Sequence, residues 1–419
     1  AAGYDVTREY YIIDAGNQIT NLALSLYARY LQACGIDAAL PEDGYHGKDI
    51  IEIAQRIKEN DGDKYLNCSK EEAIAYFRTL GTEHELEKIK DILREYRVSF
   101  DVWFSETSLY TGNKVVPTIE QLKEKGYTYE SEGALVCDVA KDDDNKPIPP
   151  LMVIKNDGAT IYATRDLGTI LSRIKRFPLN EIWYVVDERQ SLYFEQVFRA
   201  SYKTKLVSDN LKLVHYGFGT INGMDGKPYK TRDGGVMELD ALISLIKEEV
   251  EKKIKPEIVG LEREEVADTL SIATLKFADL LPYRKTDYIF DPVKFSSLEG
   301  KTGPYILYTL VRIKSLLKKN EFDSYEIKNV TNDEVRDILI KMLELPNILN
   351  KAYNEATLNY ITEYLYEIAS LFNKFYNNHN ILREEDIDTK LSYLSLSKLV
   401  YNVCHNLLDI LAINEVDKM

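Results

Sequence analysis

The spacing of apolar residues changes along the chain. Residues 15–36 and 48–59 carry apolar side chains at the three- and four-residue intervals of amphipathic helices, and the charged stretch 68–98 is also typical of a helix. Short apolar runs at 182–186 and 211–218, separated by helical sequence, are typical of buried strands. Because apolar runs that alternate with helices are the pattern of parallel β/α units, this part of the chain predicts an α/β structure.

Beyond about residue 265 the strand pattern disappears, and the sequence predicts helices alone. One apolar stripe near the C-terminus has the spacing of a helix face. Its members are Leu399, Val400, Val403, Leu407, Leu408 and Leu411. An α/β part followed by an all-α part is therefore the predicted fold class, with a boundary between residues 255 and 275.

Length and cysteine use restrict the class of protein. A chain of 419 residues suggests two or three domains, and it contains no apolar stretch as long as a membrane helix requires. The cysteines are far apart and form no C-x-x-C pair, which argues against a disulfide framework or a zinc site. They are Cys34, Cys68, Cys137 and Cys404. The five histidines are scattered, so we expect a cytoplasmic protein with no bound metal and no membrane association.

The net charge of −15 opposes non-specific binding of nucleic acid, because phosphate contacts require Lys and Arg. An acidic protein can still have a local basic face, and residues 300–320 contain five basic residues and no acidic one. In this segment Tyr305, Tyr308 and Arg312 recur at helical spacing, so that bases could stack on the rings while cations meet phosphates. A solvated helix face beside a loop explains the basic residues equally well, and ordinary helix packing at a domain junction explains the spacing of the rings and Arg312.

Tyr162 and Asp166 share one face if the segment IYATRDLG opens a helix, because they are four residues apart. A carboxylate accepts a guanidinium through two parallel hydrogen bonds, and a phenol ring supplies a stacking wall. The pair therefore suits a planar cation. The alternative is a helix-cap cluster with Arg165 and Asp166 in solvent, and spacing alone favours this alternative.

Two further segments could meet a ligand. In GMDGKPYKTRDGG, at residues 223–235, glycines bracket a basic run that could close over a polyphosphate, although an exposed hairpin turn gives the same pattern. The order of residues is not that of a Walker loop. In YYIIDAGNQ, at residues 10–18, a β-like run meets polar residues at the end where open α/β sheets bind ligands. Turn chemistry explains that segment nearly as well.

The order of the motifs is more specific than any one of them. The series is YYIIDAGNQ, YATRDLG, WYVVDERQSLYFEQVF, DGKPYKTRDGG, EGKTGPYILYTLVRIKS and the helical end LVYNVCHNLLDILAINEVDKM. In this order the motifs resemble those of the arginyl-tRNA synthetases, and the resemblance covers residues 3–419.

The resemblance implies a class I synthetase. Its Rossmann-like nucleotide-binding domain would occupy residues 1–265, incomplete and with an insertion at about 40–140, and a helical anticodon-binding bundle would occupy 266–419. Such an enzyme activates L-arginine with ATP to arginyl-adenylate and transfers it to tRNA-Arg, releasing AMP and pyrophosphate. ATP would enter with Mg²⁺ as a substrate, no prosthetic group is expected, and we expect a monomer.

The family's arginine pocket carries over onto Tyr162, Asp166 and Gln190. By this resemblance Asp166 would take the guanidinium, Tyr162 would form a wall, and Gln190 would fix the polar end or backbone of the substrate. Lysine would be rejected because a compact ammonium cannot fill a two-donor fork.

The segment KPYKTR occupies the place of the KMSKS signal of class I enzymes. The resemblance implies that Lys230 and Arg232, together with Lys227, stabilise the charge of the departing pyrophosphate. The residues that would lie on the active-site rim are Asp14, Gly16 and Gln18.

Residues 300–314 resemble the family's tRNA-contacting segment. The contacts that this implies are Tyr305, Tyr308, Arg312 and Lys314. The stretch YLYEIASLFNKFY resembles the core of the anticodon domain, and we expect Tyr364, Phe372 and Phe375 to pack there rather than to contact bases.

The chain also departs from the family's pattern. The H-x-G-H signature that holds the ATP phosphates is absent, and Tyr45-His46-Gly47 lies downstream of YYIIDAGNQ, which is the wrong order. We therefore interpret the chain as a C-terminal fragment that forms little adenylate by itself. Smaller departures are Ile13 for Asn, Tyr193 for His and Ala412 for Gly.

The sequence is compatible with other functions. A non-catalytic tRNA- or RNA-binding paralogue would keep the scaffold without the activation chemistry. A purely structural helical scaffold would need neither the Tyr162–Asp166 pair nor the KTR loop. A cysteine-specific synthetase would need a zinc site, for which the Cys and His spacing is unsuitable.

Overall fold

A computed structural model describes most of the chain and shows two compact units. The described residues are 2–111, 115–124, 126–156, 162–229, 237–318, 326–328, 330 and 332–419. The N-terminal unit comprises Asp5–Ile182 and Leu192–Leu213. The C-terminal unit comprises Ala1–Tyr4, Trp183–Ser191 and Val214–Met419. No helix among the described residues is both long and apolar enough to cross a membrane.

Helices and short strands are interspersed up to residue 218. The strands are β1 (Glu9–Ile12), β2 (Val102–Ser105), β3 (Thr128–Ser131), β4 (Ala134–Cys137), β5 (Leu151–Ile154), β6 (Glu181–Asp187) and β7 (Lys212–Phe218). The helices are α1 (Asn17–Ala33), α2 (Lys48–Asp61), α3 (Lys70–Glu95), α4 (Thr107–Thr111), α5 (Val115–Glu124), α6 (Tyr162–Arg176) and α7 (Ser191–Lys203). Single 3₁₀ turns occur at Lys64–Leu66 and Glu188–Gln190.

Helices dominate the remainder of the chain. They are α8 (Leu239–Glu251), α9 (Gly260–Leu280), α10 (Pro292–Phe295), α11 (Gly303–Lys318), α12 (Asp333–Leu343), α13 (Leu345–Asn354), α14 (Asn359–Asn378) and α15 (Ile387–Ile410), with a 3₁₀ turn at Ile381–Arg383. The two strands β8 (Ile221–Asn222) and β9 (Tyr288–Ile289) pair in parallel. The expectation of helices alone beyond residue 265 is therefore wrong at β9, because a two-residue strand leaves no alternating pattern in the sequence.

Helices α1, α2 and α3 confirm the three predicted helical stretches of the N-terminal unit. They pack around an aromatic core in which Tyr30, Phe77 and Leu26 are fully buried. Helix α3 begins at Lys70 because Ser69 and Glu72 form a capping box: the Ser69 hydroxyl accepts the Glu72 N–H at 3.2 Å, and the Glu72 carboxylate accepts the Ser69 N–H at 3.0 Å.

The strands form small sheets. β1 and β2 are parallel, with Glu9 opposite Val102 and Ile12 opposite Ser105, so both strands end at the same edge. β6 and β7 form a two-stranded sheet and confirm the two predicted strands. The predicted burial is wrong for one face of β6, because Trp183 is 49% and Val185 65% exposed. Strands β3, β4 and β5 form an antiparallel sheet that the sequence did not predict. Each has only four residues, too few for a clear alternating pattern.

The C-terminal unit has its own helical core. Tyr364, Phe372 and Phe375 of α14 are 0–1% exposed, which confirms the expectation that they pack rather than present their rings to solvent. The predicted stripe on α15 is largely confirmed, since Val400, Leu407, Leu408 and Leu411 are buried. Two members depart from it, because Leu399 is 38% exposed and Val403 is half-buried.

Candidate functional site

The carboxyl ends of the parallel strands β1 and β2 are joined by Asp14. Its carboxylate accepts a hydrogen bond from the Ser105 hydroxyl and another from the Thr107 backbone N–H at 2.8 Å. Asp14 therefore fixes the turn after β2 to the turn after β1. Gly16, at φ +99°, precedes α1 in a left-handed conformation that favours glycine, and Gln18 is exposed on the first turn of α1.

Tyr162 and Asp166 both lie on α6, as the sequence predicted, one turn apart at the start of the helix. The Tyr162 side chain is 68% exposed. The guanidinium carbon of Arg165 lies 4.3 Å from the centre of its ring, which is stacking distance for a cation on an aromatic face. One face of the exposed ring therefore carries the guanidinium of Arg165 from the same helix.

Asp166 is half-buried, and its Oδ2 accepts a hydrogen bond from the Tyr193 hydroxyl of α7. Burial raises the pKa of Asp166 above the ordinary aspartate value, while the Tyr193 hydrogen bond and the positive charges of Arg173 and Arg165 lower it. Because burial removes water from this carboxylate, a cationic ligand in place of the water would stabilise its ionised form. This environment contradicts the interpretation of Asp166 as a freely solvated cap residue.

Arg165 is also far from solvated. Its guanidinium pairs with Glu106, and the side chains of the two residues are 15% and 2% exposed. The sequence reasoning missed Glu106, which follows β2 as Asp14 follows β1, and polar residues at the carboxyl ends of parallel strands are ligand-site candidates. The acidic residue after the apolar run VWFS was the signal that could have identified it.

Gln190 lies in the C-terminal unit, at the end of the 3₁₀ turn that follows β6, and its side chain is exposed. Asp187 caps this turn by accepting the Arg189 N–H at 2.8 Å. Hydrogen bonds from the Arg189 side chain and backbone lower the pKa of Asp187 to about 2, so its carboxylate stays ionised. A charged cap therefore fixes the backbone that carries Gln190.

Only part of the predicted phosphate loop belongs to the described chain. Lys230 and Arg232 lie outside the described residues. Lys227 has an exposed side chain and follows a tight turn in which the Gly226 N–H donates to the Gly223 carbonyl at 2.9 Å. This geometry matches the hairpin-turn alternative for residues 223–227. The Lys227 ammonium remains exposed to solvent.

The predicted tRNA-contacting residues of α11 are joined in one network. The Arg312 guanidinium lies between the rings of Tyr308 and Tyr376, at 4.9 and 4.8 Å from their centres, and donates to the Asn373 side chain at 2.7 Å. Asn373 in turn donates to the Tyr305 hydroxyl at 3.1 Å. These side chains bind α11 to α14; Asn373 is buried, and the tyrosines and Arg312 are half-buried.

Lys314 is paired within the C-terminal unit as well. Its ammonium lies 2.8 Å from the Glu415 carboxylate and 2.9 Å from that of Asp417, and its side chain is 17% exposed. The ion pairs hold the end of the chain against α11. Within the part of the chain that the structure describes, no group of three or more His, Cys, Asp and Glu side chains could hold a metal ion.

Family models and curated relatives identify the family of the chain. Residues 1–292 match the family described as tRNA synthetases class I (R), catalytic domain, and residues 306–419 match the DALR anticodon binding domain. The chain is 41% identical over 350 residues to an arginine–tRNA ligase of Agathobacter rectalis and 40% identical over 340 residues to one of Alkaliphilus oremlandii. Each alignment covers 79% of this chain and 58% of the relative, so the chain spans less than two thirds of these relatives' length.

The solved structure of Thermus thermophilus arginyl-tRNA synthetase has the same fold. It superposes with a TM-score of 0.75 at 19% sequence identity, covering 100% of this chain and 76% of that one. These matches confirm the predicted fold class, a class I synthetase catalytic domain followed by a helical anticodon-binding domain. The catalytic-domain match extends over more than half of the chain, and the chain therefore belongs to the class I arginyl-tRNA synthetase family.

Proposed function

We propose that the chain has the function of an arginine–tRNA ligase, an enzyme that activates L-arginine with ATP to arginyl-adenylate and transfers it to tRNA-Arg. AMP and pyrophosphate are the other products. Because these 419 residues contain no H-x-G-H signature, we expect them to form little adenylate by themselves. The observation that carries this proposal is the half-buried Asp166 carboxylate on α6, one turn from the exposed ring of Tyr162. Membership of the arginyl-tRNA synthetase family supports it.

The substrate guanidinium binds between Asp166 and Tyr162 in this proposal. A planar cation with paired N–H donors fills both oxygens of a carboxylate and stacks on a phenol, whereas the lysine ammonium is a compact point charge. The Arg165 guanidinium on the Tyr162 ring supports the stacking half of this interaction. Gln190 binds the polar end or the backbone of the amino acid.

Phosphate chemistry is assigned to the loop after β8. Lys227, Lys230 and Arg232 neutralise charge that develops as pyrophosphate leaves, and the exposed Lys227 ammonium is available for this role. ATP brings Mg²⁺ as part of the substrate, since Mg²⁺ is usually held by phosphates and water with few protein ligands. The residues assigned to the rim of the site are Asp14, Gly16 and Gln18.

The anticodon-binding part recognises tRNA-Arg in this proposal. The assigned contacts are Tyr305, Tyr308, Arg312 and Lys314. All four are half-buried, so RNA would reach only their exposed edges, and the network of α11 with α14 would hold those edges in place. A monomer in the cytoplasm, a domain boundary near residue 265 and an insertion at about 40–140 remain predictions.

Isothermal titration of the 419-residue chain with L-arginine and L-lysine tests the amino-acid assignment. Arginine should bind at least about tenfold more tightly than lysine, a difference of about 1.4 kcal/mol. Equal binding of the two amino acids would contradict the assignment. Binding of tRNA without any binding of arginine would instead support the alternative, a non-catalytic tRNA-binding paralogue.

A further inference from the structure

We propose that Tyr193 is a positioning residue for the Asp166 carboxylate, and that it thereby sets how tightly the chain binds the guanidinium of L-arginine. The inference rests on the proposed function and adds Tyr193 to the proposed arginine pocket. It concerns two helices of the N-terminal unit, α6 with Asp166 and α7 with Tyr193.

The contact between the two side chains is direct. The Tyr193 hydroxyl donates to Oδ2 of Asp166. The phenol is itself held in place, because its ring packs edge-to-face against Phe194, with 5.3 Å between the ring centres, and Phe194 is 5% exposed. A donor on a packed ring at the start of α7 thus restricts rotation of the carboxylate on α6.

A fixed carboxylate is the better receptor for a guanidinium. Two parallel N–H···O bonds form only if the plane of the carboxylate matches the plane of the fork, and a carboxylate oriented in advance loses less freedom on binding. The remaining lone pairs of Oδ2 and both of those of Oδ1 can still accept hydrogen bonds.

The neutrality of the phenol is as important as its position. A cationic donor at the same place would cancel the charge of Asp166 and compete with the substrate cation, whereas a phenol donates a hydrogen bond without adding charge. The two arginines near Asp166 on α6 already have carboxylate partners, because Arg165 pairs with Glu106 and Arg173 pairs with Glu9 at 2.7 Å.

The pH dependence of binding follows from the groups that face Asp166. On α6, β1, α7 and the turn after β2 they are Arg165, Arg173, Tyr11, Tyr193 and Glu106. Burial raises the pKa of Asp166, and the Tyr193 hydrogen bond lowers it. Loss of that bond therefore raises the pKa further, so that Asp166 becomes protonated, and unable to pair with a guanidinium, at a higher pH than in the unsubstituted chain.

Tyr193→Phe keeps the ring and removes only the hydroxyl. The dissociation constant of L-arginine, measured by calorimetry from about pH 5 to about pH 8, should increase about tenfold at neutral pH, because a carboxylate that is no longer held must be ordered when the ligand binds. The pH at which binding falls to half of its maximum should also move upward. A purely structural phenol would not produce this second effect.

Tyr202→Phe is the matched control on the same helix. The Tyr202 hydroxyl donates to the Leu211 carbonyl at 2.7 Å and accepts the Leu213 N–H at 3.0 Å, so its loss removes comparable bonds away from Asp166. This variant should bind arginine as the unsubstituted chain does, with the same pH profile, even if its melting temperature falls.

Each outcome decides the matter. If Tyr193→Phe binds arginine with unchanged affinity and pH profile, or if both variants weaken binding equally, the positioning role is wrong while the proposed function stands. If the unsubstituted chain does not bind arginine, the proposed function fails, and this inference fails with it.

Discussion

Asp166, the proposed receptor of the guanidinium, illustrates how burial of a carboxylate can oppose folding. Burial raises the pKa of Asp166, so the ionised side chain has a higher free energy in the folded chain than in the unfolded chain. Its protonated form contributes stability below the unfolded-state pKa, and this contribution is lost as the pH rises through the higher folded-state pKa. At neutral pH the folded chain therefore carries a cost that a cationic ligand would offset.

Asp166→Asn should remove that cost and the ligand affinity together. The amide oxygen can still accept the Tyr193 hydroxyl, so we expect a melting temperature at neutral pH that is equal to or higher than that of the unsubstituted chain. Arginine binding should weaken by about 2 kcal/mol or more, since a charged hydrogen-bonding partner is lost. Calorimetric melting and titration measure the two effects.

Asp209→Asn provides the control for this variant. Asp209 forms an exposed ion pair with Lys205 in the same unit, with side chains 78% and 61% exposed, so neither property should change measurably. A fall of several degrees in the melting temperature of Asp166→Asn alone would mean that the carboxylate is a structural group.

Loss of one member of the buried Arg165–Glu106 pair should destabilise the folded chain, unlike the loss of charge in Asp166→Asn. Arg165→Met leaves the Glu106 carboxylate, 1% exposed, without its cation, and such variants cost about 3–5 kcal/mol in the free energy of unfolding. Urea unfolding followed by circular dichroism measures this loss. Lys205→Met breaks an exposed pair in the same unit and should cost at most about 1 kcal/mol.

A double variant separates charge from packing at this site. Glu106→Leu combined with Arg165→Met removes both charges and should recover much of the stability lost by Arg165→Met alone. If the double variant loses, relative to the unsubstituted chain, the sum of the losses measured for Arg165→Met and Glu106→Leu alone, the pair contributes by packing and not by charge compensation.

Sequence reasoning at the residue scale succeeded where partners are close in the chain. Tyr162 and Asp166 are four residues apart, so helix periodicity alone places them one turn apart on α6. Glu106 and Arg165 are 59 residues apart, and Asp166 and Tyr193 are 27 apart. No local pattern encodes such pairs, which only tertiary packing brings together.

At the scale of elements, helices α9 and α11 of the C-terminal unit come close together at Gly303. A Cβ added at Gly303, the first residue of α11, would overlap the Ala273 carbonyl oxygen of α9. Backbone lies opposite this glycine, so the neighbour cannot move aside by changing a side-chain rotamer. The small residue sets the distance between the two helices.

Gly303→Ala should therefore destabilise the C-terminal unit by about 1–3 kcal/mol, the range for overpacked sites. Ser315→Ala, at an exposed position of the same helix, should change stability by no more than about 0.5 kcal/mol. Gly81→Ala on α3 approaches side-chain carbons of Leu26 and Leu22 rather than backbone, and should cost less than Gly303→Ala. Equal costs at Gly303 and Ser315 in denaturant titrations would contradict the close approach.

Long periodic elements could be predicted from the sequence, while short ones could not. Helices α1 to α3 and strands β6 and β7 have enough residues for their period to be visible. Strands β8 and β9 have two residues each and are fixed by parallel pairing between residues that are far apart in the chain. The antiparallel sheet of β3, β4 and β5 likewise depends on tertiary pairing that a four-residue pattern does not reveal.

At the scale of the whole molecule, the charge of −15 opposes the approach of RNA. Any affinity for tRNA must then come from local contacts, and Arg312 and Lys314 are already engaged by rings, an amide and carboxylates within the C-terminal unit. These partners hold the cations in place but also reduce the charge available to phosphates. The number of phosphate contacts should consequently be small, and the dependence of binding on salt moderate.

The most direct test of the proposed arginine–tRNA ligase is a titration of the 419-residue chain with tRNA-Arg, with a non-cognate tRNA in parallel. The titrations are made at about 50 mM and about 200 mM salt, which separates phosphate contacts from other contacts. We expect selective binding of tRNA-Arg at both salt concentrations, weaker at the higher one. Equal binding of the two tRNAs, or no binding of either at the lower salt concentration, would contradict the proposed function.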